Sequence, residues 1–197
     1  MSTSLAAKLD RDTPPWWDVP QRIVVVRAVL ALVWAAALLI AVGDKVPTTS
    51  SDVPIAAAVV LTTYPAIDVV ASIATARGTN ASGRLLRINA TISALAVAAI
   101  GVAAFGSDAG ATLAAFGVWA AVSGAIQFGN AVRRRADGHQ LPMIVSGGLS
   151  TLAGLSFLAS SSNDEARLGT LAGYMALGAL LYLLFAHRNR IPQHAAP

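Results

Sequence analysis

Six long apolar segments, separated by short polar stretches, constrain this chain more than any other feature. A helix needs about 20 mostly apolar residues to cross roughly 30 Å of hydrocarbon, because each residue adds about 1.5 Å. Only 12% of the 197 residues are charged, and the charges lie almost entirely between those segments. The sequence therefore predicts an all-α membrane protein with six transmembrane helices and no soluble domain, the spans lying at 22–42, 54–76, 86–105, 110–132, 141–160 and 168–187.

Basic residues fall in every second loop, and this alternation predicts the orientation. Loops rich in Lys and Arg tend to remain in the cytoplasm. Lys45 and Arg167 lie on one side of the predicted membrane, and the other 12 of the 14 basic residues lie on the opposite side: Lys8, Arg11, Arg22, Arg27, Arg77, Arg84, Arg87, Arg133, Arg134, Arg135, Arg188 and Arg190. We therefore expect both termini, a leader at 1–21 and a tail at 188–197, to be cytoplasmic.

The alanine-rich composition, with arginine favoured over lysine, suggests a bacterial source. We therefore expect a multi-pass protein of the bacterial cytoplasmic (inner) membrane, with the lipid bilayer as its constant partner. The run Arg133–Arg135 fits a topology signal better than a lipid-headgroup site, because the basic loops alternate so regularly. A high isoelectric point arising in this way predicts no nucleic-acid partner.

Aromatic residues recur inside the even-numbered segments at a fixed spacing. Tyr64, Trp119 and Tyr174 are 55 residues apart in each step. A regular period of this length is typical of a repeated supersecondary unit. The spacing predicts three repeated helical hairpins of about 55–60 residues each.

Small residues at four-residue spacing predict close helix contacts. Ser146, Ser150 and Gly154 form such a line on the fifth segment, and Gly169 with Gly173 forms another on the sixth. Small side chains allow two helix backbones to approach closely in lipid. We expect these residues to pack helices within one chain. Association into a homo-oligomer is the alternative.

Asp68 is the one acid predicted to lie inside the hydrocarbon. It follows Tyr64 by one helical turn and lies about 13 Å from the cytoplasmic end of its helix, at 1.5 Å per residue. Pro65 removes a backbone donor between them, and Thr62 and Thr63 are placed to satisfy the freed carbonyl group.

Two interpretations of Asp68 stay open. A charged Asp at a helix centre costs about 2.5–3.5 kcal/mol on insertion scales, so such acids are functional candidates. In the first interpretation Asp68 gains and loses a proton that it senses or relays. In the second it is a structural acid, paired with Arg27 of the first helix or hydrogen-bonded to Tyr64. The second is favoured, because ion pairs inside membranes often have this role.

Three amides lie at a similar depth in the cytoplasmic half: Asn89, Gln127 and Asn130. Together with Arg27, Asp68 and Ser146 they predict either a polar vestibule or hydrogen bonds between helices, and the second is the commoner use of such amides.

Motifs for soluble chemistry are absent from the sequence. It has no cysteine, no phosphate-binding GxxxxGK[ST] loop and no HExxH zinc motif. We therefore expect no enzyme activity, no catalytic residue, no cofactor and no metal site.

Two stretches of the second half resemble the HdeD-like membrane proteins. They are Gly117-Val-Trp-Ala-Ala-Val-Ser-Gly-Ala-Ile-Gln-Phe with the following Arg133-Arg-Arg, and Leu141-Pro-Met-Ile-Val-Ser-Gly-Gly-Leu-Ser-Thr-Leu-Ala-Gly. The resemblance is strongest over 110–187. It implies six membrane helices in short repeated hairpins and a role in acid or envelope stress, and it carries over no catalytic residue.

Three functions follow as hypotheses. The first is a non-enzymatic membrane protein for acid or envelope stress tolerance. The second is a small channel or transporter with a polar cavity around Asp68 on the cytoplasmic side. The third is an accessory subunit or scaffold in a larger membrane complex.

Overall fold

A computed structural model of the protein describes residues 21–43, 49–76, 83–137, 140–163 and 167–188. Almost all of the predicted leader and tail lies outside these ranges. Helices form at all six predicted segments, and their ends differ from the prediction by at most three residues, at the start of the third helix. The helices are α1 (Gln21–Val42), α2 (Ile55–Ala76), α3 (Gly83–Gly106), α4 (Ala109–Arg133), α5 (Leu141–Ser160) and α6 (Gly169–Arg188).

All six helices are long and apolar enough to cross a membrane. Their outward faces are apolar as well, since Ile40, Ile55 and Val102 are each more than three-quarters exposed. Large aliphatic side chains at such positions are stable in lipid and costly in water. The architecture therefore fits a multi-pass integral membrane protein, as the sequence predicts.

Local sequence signals set several helix ends. α1 ends at Gly43, whose φ of +57° suits a residue without a Cβ atom and whose N–H donates to the Leu39 carbonyl at 3.0 Å. α4 begins after Asp108, whose carboxylate accepts a hydrogen bond from the Ala111 N–H at 2.7 Å. Both devices satisfy backbone groups that the helix itself leaves unpaired.

The helices form a ring in which each one packs antiparallel against its two neighbours, with α6 closing the ring against α1. We name the two ends by charge. The basic end holds the start of α1, α3 and α5 and the end of α2, α4 and α6, and the opposite end holds the other termini.

Contact between neighbouring helices alternates in extent around the ring. The pairs α4/α5, α2/α3 and α1/α6 are in the most extensive contact, and α5/α6 is in the least. The two helices of each predicted hairpin, α1/α2, α3/α4 and α5/α6, are therefore in less contact with each other than with the neighbouring hairpins. The repeated-hairpin arrangement stays a prediction.

Glycines bring the backbones of α4 and α5 together. A Cβ atom at Gly117 would lie 2.7 Å from the Gly154 carbonyl oxygen, and one at Gly124 would lie 2.6 Å from the Thr151 nitrogen. Real Cβ atoms do not approach backbone so closely, so neither position accepts a larger residue without a shift of the helices. The predicted packing role of Gly154 is confirmed.

The other predicted small residues have different surroundings. Ser150 donates a hydrogen bond to the Ala120 carbonyl of α4 at 3.3 Å, and Ser146 is buried. Gly169 and Gly173 face open space, since a Cβ atom added at either would meet no atom within 4 Å. Within one chain, the predicted packing role of these two glycines is wrong.

The half of the ring toward the opposite end is densely filled. Eight large side chains there are at most 1% exposed: Leu38, Leu61, Ile100, Leu113, Phe116, Leu168, Leu171 and Met175. The segment before α2 also closes on α4, where the carbonyls of Ser51 and Thr49 accept hydrogen bonds from the N–H groups of Ala109 and Gly110 at 3.0 and 2.9 Å. This half therefore forms a closed apolar core.

Candidate functional site

Asp68 of α2 and Arg27 of α1 form an ion pair inside the ring. The Arg27 Nη2 atom contacts the Asp68 Oδ1 atom, and the side chains are 27% and 3% exposed respectively. The pair forms because α1 and α2 run antiparallel, which brings the seventh residue of α1 level with the second half of α2. The predicted pairing is confirmed.

The second carboxylate oxygen of Asp68 is held by α3. Asn89 donates to Oδ2 through Nδ2 at 2.5 Å, and Ser93 donates to the same oxygen at 2.7 Å. Hydrogen bonds to a buried carboxylate offset the cost of removing its charge from water. Asp68 is therefore fixed by two neighbouring helices, as expected of a structural acid.

The hydrogen bonds extend from Asp68 to α4. Trp119 donates through Nε1 to Ser93 at 3.1 Å, and Ser123 donates to the Asn89 Oδ1 atom at 3.3 Å. One carboxylate thus connects four consecutive helices of the ring. Ser93 is completely buried and was not recognised from the sequence, where a lone serine in an alanine-rich helix has no distinguishing signal.

Tyr64 lies beside this network without joining it. Its ring centroid is 5.7 Å from that of Trp119 and 6.0 Å from that of Phe116. The structure gives Tyr64 no hydrogen bond to Asp68, so that alternative is wrong. The shared helix face nevertheless places both side chains against the same cavity.

The three aromatic residues of the 55-residue repeat meet in the centre of the ring. Phe116 joins them, with its ring 5.1 Å from Trp119 and 5.8 Å from Tyr174. The Tyr174 hydroxyl also shares a hydrogen bond with Ser150 at 2.5 Å. Edge-on aromatic contacts of this kind stabilise a core beyond the area that they bury. The cluster thus connects α2, α4 and α6 across the ring.

Two threonines lie beside Pro65 in α2. Thr63 donates back to the Val59 carbonyl at 2.7 Å and accepts a hydrogen bond from Trp34 at 2.9 Å. The Thr62 hydroxyl is buried and has no partner among the described residues. Neither threonine donates to the Leu61 carbonyl that Pro65 frees, so that expectation is wrong.

A cavity of about 480 Å³ lies between α5, α6 and the ion pair; we call it the chamber. It falls in the size range of small-molecule sites, about 300–1,000 Å³. Its polar lining comes from Arg27, Asp68, Gln127, Ser123, Ser146, Ser150, Ser156, Thr170 and four aromatic side chains, Tyr64, Trp119, Tyr174 and Tyr182.

A second cavity, of about 200 Å³, reaches the helix termini at the basic end; we call it the vestibule. All six helices contribute to its lining, and Arg27, Asn89, Gln127 and Asn130 are among the lining residues. The structure thus brings together the polar residues that the sequence predicts at this depth, with Asp68, Tyr64 and Ser146 in the chamber next to it.

Tyr182 marks the junction of the two cavities. Arg27, Ser123, Gln127 and Tyr182 line both of them. The Arg27 guanidinium lies 4.5 Å from the centre of the Tyr182 ring, and the Tyr182 hydroxyl donates to Gln127 Oε1 at 3.0 Å. Sequence reasoning missed Tyr182, although its spacing of 55 residues from Gln127 is the same as that of the aromatic repeat.

Within the described part of the chain, no group of three or more His, Asp or Glu side chains is placed to hold a metal ion. The chamber, the vestibule and the junction between them form the candidate site. No family model, curated protein or solved structure matches the chain.

Proposed function

We propose that the protein is a small membrane transporter or channel-like protein that binds an uncharged molecule in the chamber. The observation that supports this most strongly is the pair of cavities in series, joined at Arg27, Gln127 and Tyr182, inside a bundle whose other half is closed. Protein interiors are normally close-packed, so a cavity of this volume beside an ion pair indicates a role beyond packing. The proposal includes no catalytic step.

The proposed route to the chamber from water starts at the basic end. By the charge bias of the loops this end faces the cytoplasm, so solute enters the vestibule from inside the cell. Passing the junction requires Tyr182 to turn away from Gln127, which breaks one hydrogen bond and the contact of its ring with the Arg27 guanidinium. Each of these contacts contributes about 1 kcal/mol, so the cost of opening the junction is only about 2 kcal/mol.

Release on the other side requires the dense half to open. Pro65 lies in α2 at the level of the aromatic cluster, where one backbone hydrogen bond is missing. Prolines at such positions allow a helix to bend. In this proposal α2 bends at Pro65. Asp68 is held by Arg27, Asn89 and Ser93 and so fixes the part of α2 that lies toward the basic end.

The absence of native cysteine makes the route testable by single-cysteine labelling. Asn130→Cys places a thiol in the vestibule, and Ser146→Cys places one in the chamber, because Ser146 lines the chamber and not the vestibule. We expect a small membrane-impermeant thiol reagent to modify both in inverted vesicles and neither in intact cells. Thr112→Cys is the matched control, because Thr112 is fully buried in the dense half and its thiol should stay unmodified.

Two results would contradict the proposal. If Ser146→Cys resists the reagent from both sides while Asn130→Cys reacts, the chamber has no aqueous route. If a cysteine at Ala136, next to the end of α4, reacts in intact cells, the orientation is wrong. The first result concerns function and the second topology, so the two failures are distinguishable.

We also propose, as a second candidate, the role in acid or envelope stress that the resemblance implies. The ion pair supports it, because Arg27 contacts both Asp68 and the Tyr182 ring, so a change at Asp68 would alter the junction. The test is survival of a deletion strain after acid challenge, complemented with wild type or with Asp68→Asn at equal membrane abundance. Rescue by wild type alone supports this role, and unchanged survival of the deletion strain removes it.

A further inference from the structure

The chamber extends to the lipid-facing surface between α5 and α6. Leu152 of α5 and Leu177 of α6 line the chamber, yet they are 65% and 47% exposed. Because Leu152 and Leu177 are exposed to the outside and also line the chamber, an opening between α5 and α6 lies next to them. This opening lies at the pair of neighbouring helices with the least mutual contact.

Glycines keep the α6 side of this opening free. Gly173 and Gly178 line the chamber, and a Cβ atom added at either would meet no atom within 4 Å. The chamber is thus joined to the hydrocarbon layer by a gap that two missing side chains widen. An alkyl chain in that layer reaches the chamber without crossing a polar headgroup region.

The charges of the lining select against an ionised ligand. Arg27 and Asp68 neutralise one another, and Asp68 is further held by Asn89 and Ser93. Every other polar group of the lining is a neutral hydroxyl, amide or indole. A charged ligand would have to lose its hydration without gaining a free counter-charge, which costs several kcal/mol. A neutral head group can exchange hydrogen bonds with Ser150, Tyr174 or Gln127.

We propose that the chamber admits an uncharged single-chain amphiphile from the bilayer through the gap between α5 and α6. Its alkyl chain lies between Leu152, Leu177 and Gly173, and its hydroxyl-bearing head contacts the polar groups near the ion pair. This inference rests on the proposed function, since it names the class of ligand and a lateral route to the same chamber.

Trp119 provides the reporter, because it lines the chamber although only 6% of it is exposed. The protein with Trp16, Trp17 and Trp34 replaced by Phe is reconstituted in phosphatidylcholine vesicles. A monoacylglycerol with bromines at mid-chain is titrated in, since bromine quenches indole fluorescence at short range. We expect saturable quenching of at least two-fold, and much weaker quenching when the bromines are on the phosphatidylcholine instead.

Two glycine substitutions separate the gap from the rest of the surface. Gly173→Leu fills the gap and should abolish saturable quenching. Gly129→Leu is the matched control, since a side chain there also meets no atom within 4 Å but Gly129 does not line the chamber. A protein that retains Trp34 alone, in the groove between α1 and α2, should be quenched by both brominated lipids.

The alternative outcomes distinguish the lateral route for the amphiphile from the aqueous route of the proposed function. Quenching of Trp119 that is unsaturable, or unchanged by Gly173→Leu, overturns the lateral route. If the brominated amphiphile fails to quench while Ser146→Cys still reacts with the water-soluble thiol reagent, this inference fails and the aqueous route stands. If neither probe reaches the chamber, both proposals fail.

Discussion

The two sides of α5 show how one helix can serve opposite purposes. Toward α4 it presents Gly147 and Gly154, and a Cβ atom at Gly147 would lie 2.5 Å from the Phe128 nitrogen. Toward α6 it contributes leucines to the wall of an open chamber, and its main polar contact is the hydrogen bond between Ser150 and Tyr174. Close backbone packing thus holds α5 against α4. Separate contacts at the edge of the chamber hold α5 against α6.

The comparison teaches that small residues have no single meaning in a membrane helix. Gly154 and Gly173 both belong to patterns in which small residues recur every four positions. Gly154 lies against the backbone of α4, whereas a Cβ atom added at Gly173 would meet no atom within 4 Å. Close packing depends on what the facing helix presents at the same level. The pattern alone carries no information about the partner.

The largest expected effect separates the two sides directly. Gly154→Leu should lower the free energy of unfolding by about 3 kcal/mol or more, because its side chain would overlap the α4 backbone. Gly173→Leu should change it by less than about 0.5 kcal/mol. Thermal unfolding in detergent measures both, and a loss of about 3 kcal/mol corresponds to roughly 6–12 °C at this chain length. Equal losses would remove the distinction between the two sides.

The next effect concerns the polar contacts on which the chamber side depends. Arg27→Met should cost about 3 kcal/mol, since it leaves the buried Asp68 carboxylate without its counter-charge. Adding Asp68→Asn to Arg27→Met should restore at least about 1 kcal/mol, because the amide has no charge to compensate. The free energies of unfolding of the single and double variants give the interaction energy between Arg27 and Asp68. If the second substitution adds its own cost instead, the pair does not stabilise the chamber.

The sequence predicts the six helices well, because hydrophobic length and loop charge are properties of each segment alone. It also predicts the Arg27–Asp68 pair, since an isolated acid and an isolated base in antiparallel neighbours have few other partners. It does not predict the chamber, the junction at Tyr182 or the buried Ser93, because each depends on the distances between helices. Helix spacing is a property of the packed ring that no single segment encodes.

A smaller effect is expected at the junction. Tyr182→Phe removes the hydrogen bond to Gln127 Oε1 and should cost about 1 kcal/mol, since that amide oxygen loses its partner. The aromatic face beneath Arg27 remains. We expect Ser146→Cys, in the chamber, to react faster with the thiol reagent in the Tyr182→Phe background. An unchanged rate would mean that Tyr182 does not limit passage between vestibule and chamber.

The smallest effect should come from the contact that joins α5 to α6. Tyr174→Phe removes its hydrogen bond with Ser150, but Ser150 still donates to the Ala120 carbonyl, and the aromatic contacts of the ring with Phe116 stay in place. We therefore expect a cost of about 0.5 kcal/mol, with quenching of Trp119 by the brominated monoacylglycerol retained or increased. If Tyr174→Phe instead destabilises the protein as much as Gly154→Leu, then α5 and α6 depend on each other as closely as α4 and α5 do. The gap between them would then be a cohesive interface, and an alkyl chain could enter only by disrupting the fold.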